Sequence, residues 1–219
     1  MLSLLAAAVA PALALLFYFY LKDEFEQEPV HMVIRCFLFG ALLVLPVMFA
    51  QYIISTETTL AQTQSGTAAV PALLEELFKW FTVLAAVYTH IHFNQRYDGI
   101  VYACAVGLGF ASVENIFYLL EYGLDYAFIR AVFPVSGHAL FAVVMGYYIG
   151  RAKFGRHRNL NLFLALAFPV LLHFSYNFLV ISRDAAAFTA VPFMIGLWIL
   201  AIWKVKKANR LQRSALHIS

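Results

Sequence analysis

An all-α, polytopic bundle of about seven membrane-spanning helices is what this sequence predicts, and three observations carry that expectation. First, 63% of its 219 residues are hydrophobic and 12% are charged, against roughly 45–50% and about 25% in an ordinary soluble domain. The mean hydropathy is +0.79. Second, the apolar residues fall into blocks of about 20, the length that crosses a hydrocarbon core about 30 Å thick. Third, Lys and Arg collect in short polar stretches beside these blocks, as the positive-inside rule requires of membrane proteins. No internal repeat or low-complexity tract appears, so residues 1–219 are expected to form a single integral-membrane domain.

The blocks can be justified in order. Residues 2–21 have the small side chains of a signal peptide but no basic stretch before them, so they are expected to stay as an uncleaved first span. Residues 31–54 follow an acidic turn, KDEFEQEP (22–29). The polar loop STETTLAQTQSGTA (55–68) contains no Lys or Arg and leads into the third block, 70–89. The fourth, 99–120, carries Ala103, Gly107 and Ala111 at intervals of four, a stripe that lets another helix approach closely. The fifth, 126–150, contains Pro134, which should disturb its hydrogen-bond ladder. In the sixth, 160–181, Pro169 should kink the helix one turn before His173. The seventh, 186–203, is short and follows a linker of only four residues.

Charge sets the expected orientation. Arg151, Lys153, Arg156 and Arg158 join the fifth and sixth blocks, and Lys204, Lys206, Lys207, Arg210 and Arg213 follow the seventh. Both groups belong in the cytoplasm, which places the N-terminus outside and the C-terminus inside. Because the basic groups adjoin membrane spans, nucleic acid is not an expected partner; the lipid bilayer is. Cys36 and Cys104 lie in apolar blocks without a CxxC pairing, so buried thiols are expected rather than a disulfide framework.

The chemistry rests on polar residues at membrane depth. Adjacent Glu75 and Glu76 interrupt the third block, and a charge there costs roughly 2.5–3.5 kcal/mol on insertion scales. Lys79 follows at helical spacing, so all three are near neighbours. Two carboxylates this close cannot both ionise freely in low dielectric; with Lys79 holding one, the pair suits a general base. The bland alternative is an ion cluster at a helix start. Glu114 and Asn115 lie in the fourth block, His138 in the fifth, and His173 with Asn177 in the sixth. By the orientation above, Glu75, Glu76, Glu114, His138 and His173 all fall in the outer half of the bilayer. One site open to the outside is the simplest account. His90 and His92 end the third block on the other side, while His31, His157 and His217 fall in turns or the tail. Neither HExxH nor GxSxG occurs, which removes the usual zinc-protease helix and the serine elbow. A proton- or cation-coupled transporter using the same buried residues is the rival from another class.

The segments EELFK (75–79), GFASVEN (109–115), SGHALF (136–141) and HFSYN (173–177), with FYFYLKDEFEQEPVHMV (17–33), resemble the motifs of the PrsW intramembrane proteases. That family is distantly related to the CAAX prenyl proteases. The resemblance implies a CAAX-protease-like membrane fold in a bacterial cell membrane. It also implies a membrane-embedded peptidase that makes the first, extracytoplasmic cut in a single-pass anti-sigma factor and so begins release of an extracytoplasmic-function sigma factor. Carried over by motif, the catalytic positions are Glu75, Glu76, Glu114, His138 and His173, with Lys79, Asn115 and Asn177 supporting. Two mechanisms fit them. In one, metal-free, a glutamate of the pair with His138 activates water while His173 and Asn177 hold the oxyanion. In the other, Glu114, His138 and His173 bind zinc. The first is slightly preferred, since no local ligand motif forces a metal.

Overall fold

The computed structural model describes residues 1–181 and 186–216. Its helices are α1 (Leu2–Leu21), α2 (Val30–Glu57), α3 (Gln64–Val87), α4 (Asp98–Tyr122), the short α5 (Ala127–Arg130), α6 (Ser136–Phe154), α7 (Arg158–Ile181) and α8 (Ala186–Leu216); there is no strand among the described residues. Among the described residues, six stretches are long and apolar enough to cross a membrane: α1, α2, α4, Leu124–Phe154, α7 and Phe188–Ala215. The all-α polytopic bundle is therefore what the chain forms. α3, which holds Glu75, Glu76 and Lys79 near its middle, is not among the six.

Burial orders the bundle. In the most apolar window of α4, 78% of residues are buried, and 67% in the stretch containing α6, against 22–33% in the four others, so α4 and α6 form the centre and the rest wrap them. The wrapping helices bury one stripe each; in α1 it is Ala8, Ala12, Leu16 and Phe19, the spacing of one helical face. Leu5, Leu13 and Phe17 face outward instead, an arrangement suited to lipid. Where α2 crosses α4, a Cβ at Gly40 would overlap the carbonyl oxygen of Val106, and one at Gly109 that of Phe37. Glycine is required there by the closeness of two backbones. Cys36 and Cys104 are both buried and free.

Several boundaries differ from expectation. α3 starts at Gln64, six residues early, because the Thr63 hydroxyl accepts a 3.0 Å bond from the Gly66 amide and caps it. α4 ends at Gly123, whose φ of +94° suits only glycine well. The ladder around Pro134 is disturbed as expected: Ala131–Val135 is a π-helical turn between α5 and α6. The last helix is 31 residues long and carries the basic cluster with it. The four-residue linker before it and His217 lie outside the described residues.

Two bonds show how α3 and α7 run. Trp80 Nε1 donates to Leu162 O at 3.2 Å, and Asn177 Nδ2 donates to Ala68 O at 3.3 Å. The helices are thus antiparallel, with the start of α3 beside the end of α7. The polar cluster lies between that end and the middle of the two helices.

Candidate active site

Within little more than one turn of α3, Glu75, Glu76 and Lys79 meet. Lys79 Nζ lies 3.3 Å from Glu75 Oε2 and 2.9 Å from Glu76 Oε1. Glu76 is 1% exposed and Lys79 2%, so these charges persist at depth only as a closely paired group. Gln51 of α2 donates to the remaining Glu75 oxygen at 3.3 Å.

From α6, His138 inserts between this group and α4. Its Nδ1 is 3.0 Å from Lys79 Nζ, and its Nε2 is 2.8 Å from Glu114 Oε2. An ammonium can only donate, so Nδ1 accepts, and Nε2 carries the hydrogen given to the Glu114 carboxylate. The network therefore selects one neutral tautomer. On α7, His173 Nδ1 is 3.1 Å from Glu76 Oε1, where it donates to the carboxylate and leaves Nε2 on the other side of the ring. The His173 ring stacks on Phe141 at 4.9 Å and meets His138 edge-on at 5.3 Å.

A cavity of about 300 Å³ opens over these groups, and Glu75, Glu114, Arg130, His138, His173 and Asn177 are on its wall. Glu76 is not: it lies beneath, tied to Lys79 and His173. A larger groove of about 530 Å³ between α1 and α2 is lined by Leu13, Phe17, Val33 and similar side chains. Its one polar side chain, Tyr20, spends its hydroxyl on the Glu28 carbonyl at 2.8 Å.

All five residues expected to be catalytic are gathered here, with Lys79 at their centre. The two supporting asparagines differ. Asn177 is on the cavity wall, whereas Asn115 is fully buried, its amide donating to Ala8 O at 3.0 Å and its oxygen accepting from Arg130. The expected metal trio is also arranged differently. Among the described residues, the donors that lie within 4.8 Å of one another are Glu75, Glu76, His138 and His173; Glu114 is behind His138, bonded to the far ring nitrogen. Two imidazoles and a carboxylate with a further carboxylate beside them are a donor set that fits a zinc-class ion.

Two participants escaped the sequence reading. Arg130 donates to Glu114 at 3.1 Å and Asn115 at 3.0 Å; its signal was a guanidinium a few residues inside an apolar block. Gln51 had a similar signal in the second block. Of the remaining histidines, His31, His90 and His92 group together, with ring centroids 5.3–6.0 Å apart, away from the cavity.

Buried, paired carboxylates and imidazoles around a small cavity, inside a bundle of membrane helices, fit a membrane-embedded hydrolase, and the known proteins this chain resembles show that class. The family described as PrsW family intramembrane metalloprotease matches residues 28–203. Protease PrsW of Oceanobacillus iheyensis is 51% identical over 210 residues, covering 95% of this chain and 97% of that protein. Protease PrsW of Bacillus subtilis is 45% identical with the same coverage, and that of Clostridioides difficile 30% identical over 94% of this chain and 91% of its own length. No solved structure matches. The chain belongs to the PrsW family: it is a multi-pass membrane protease.

Proposed function

We propose that this chain makes the first cut in a membrane-anchored anti-sigma factor, at the outer side of a bacterial cell membrane, and so starts release of an extracytoplasmic-function sigma factor. The observation that supports this reading is where the cluster lies. It reaches from the middle of α3 toward the end of the bundle where α3 begins and α7 ends, an end whose α2–α3 connection has no Lys or Arg, while Arg151, Lys153, Arg156, Arg158 and the basic part of α8 belong to the opposite end. With α3 taken as a seventh crossing, since it runs antiparallel alongside α7 from Ala68–Asn177 to Trp80–Leu162, the positive-inside rule supports a topology with the N-terminus and the cluster outside and the C-terminus in the cytoplasm. A single-span substrate would present a peptide bond at that depth.

Within the pair, Glu75 is the general base and Glu76 a support. Glu75 borders the cavity and Glu76 does not. Glu75 takes a proton from the attacking water and returns it to the leaving amine; Lys79 and Gln51 hold its two oxygens in place. Asn177 gives one amide hydrogen to Ala68 O and has a second with which to meet the oxyanion. Glu76, His138 and His173 are the residues that would hold a zinc-class ion, which when bound polarises the carbonyl and acidifies water. The family description and the donor geometry support the metal-dependent version over the metal-free one. In the structure the cation held by Glu76 and His138 is the Lys79 ammonium.

The test is reconstitution. Purified protein in liposomes with a tagged single-pass anti-sigma factor should yield one discrete cut on the outer side, lost in Glu75→Gln at unchanged melting temperature. Ion flux dependent on Glu75, with no cleavage by the wild type, would establish the transporter instead.

A further inference from the structure

We infer that Arg130 is a positioning residue for hydrolysis, acting through Glu114 on His138; the inference rests on the protease reading above. Glu114 has to keep one oxygen on His138 Nε2 for the ring to hold its tautomer, yet its side chain is 34% exposed. A glutamate with three free torsions, a third open to a watery cavity, has nothing intrinsic to hold it there. Arg130 supplies the restraint: its terminal nitrogen donates to Glu114 Oε1 at 3.1 Å, the oxygen His138 does not use.

The arginine is itself held by two further partners. Its Nε donates to Asn115 Oδ1 at 3.0 Å, and its guanidinium lies 4.2 Å over the Tyr118 ring. Asn115 in turn donates to Ala8 O, so the chain of bonds runs from the α1 backbone through α4 and α5 to the imidazole. A planar fork can hold Glu114 and Asn115 at once; a lysine ammonium at the end of a flexible stem cannot do so with the same geometry. The backbone is shaped to the same end. In an unbroken α-helix, eight residues separate Arg130 from His138 by roughly 80° around the axis. The π turn at Ala131–Val135 breaks that register, and both side chains border one cavity. π turns recur at functional sites for this reason.

The experiment uses the full-length protein in liposomes with the tagged anti-sigma factor, and a double-mutant cycle over Arg130→Met and Glu114→Gln. Arg130→Met should lower kcat about 10–100-fold, the usual cost of losing an outer orienting partner, with KM within about threefold of wild type. In the Glu114→Gln background it should cost less than about twofold more, because the route through Glu114 is already cut. Arg130→Lys, which keeps the charge, should recover part of kcat, and it serves as the readable variant if Arg130→Met melts early. Nitrogen-15 NMR of His138 should show a single neutral tautomer in wild type and a mixture in Arg130→Met. A rise in KM at unchanged kcat would mean that Arg130 touches substrate directly and would overturn the inference, as would multiplicative effects in the cycle. If wild type cleaves and Glu75→Gln does not, those outcomes reject the role of Arg130 alone and leave the protease reading intact.

Discussion

Lys79 Nζ and His138 Nδ1 are 3.0 Å apart although 59 residues separate them in the chain. This contact joins the acidic side of the site on α3 to the imidazole side on α6. It also means that the two carboxylates of α3 and the ring of His138 share one cation.

Removing that cation should expose what it holds. Lys79→Met leaves Glu75 and Glu76 buried without a counter-charge, and breaking a buried pair costs about 3–5 kcal/mol. Unfolding in detergent should show a loss of this order, smaller when Glu76→Gln is added to the same chain. If Lys79→Met unfolds like wild type, the ammonium is not what stabilises the pair.

The two glutamates should separate kinetically. Glu75→Gln is expected to lower kcat about 10²–10⁴-fold, the range for a lost general base, with little change in stability. Glu76→Gln should lower both activity and melting temperature, because Lys79 and His173 each lose a partner. Equal effects on stability from both variants would count against the division of roles.

Zinc binding can be read without activity. Added to metal-free protein at 100 times its Kd, zinc should stabilise the fold by about 2.7 kcal/mol. His173→Ala and Glu76→Gln should abolish that shift, while Glu114→Gln should only weaken it, since Glu114 lies behind His138. Elemental analysis of the same samples gives the stoichiometry. Retention of full binding in His173→Ala would exclude this ligand set.

Away from the cavity, Glu28 should make stability depend on pH. It is 4% exposed, in the turn before α2, with the Tyr102 hydroxyl donating to it and Asp98, Asp23 and His92 around it. Burial raises its carboxyl pKa, outweighing the Tyr102 hydrogen bond; burial likewise raises that of Asp23. An acid with a raised folded-state pKa contributes stability that is complete below its unfolded value, about 4.3, and lost as pH rises through the folded one. Melting temperature should therefore fall as pH rises from the unfolded value through the raised folded one, and Glu28→Gln should flatten the profile. A variant profile parallel to wild type would remove Glu28 as the source.

Much of this protein was legible in the sequence. Apolar blocks of spanning length located the helices, since a lipid environment allows few alternatives to a helix whose backbone bonds are all internal. The polar residues of the site stood out for the same reason: Glu75, Glu114, His138 and His173 are costly at membrane depth and so are conspicuous there. Helix ends were less legible, because caps such as Thr63 and extensions such as the basic end of α8 follow local hydrogen bonding rather than hydropathy.

The sequence by itself determined the helical class and picked out Glu75, Glu76, Glu114, His138 and His173 as the polar residues to watch, both of which follow from the cost of polarity in lipid. Only the tertiary structure decided the division of labour among them. That Glu75 borders the cavity while Glu76 lies beneath it, that Glu114 stands behind His138, and that Arg130 holds Glu114 are all set by how separate helices pack against one another. Each depends on the angle at which one helix crosses another, and crossing angles come from the packing of side chains against glycines such as Gly40 and Gly109, which no periodicity along a single helix encodes.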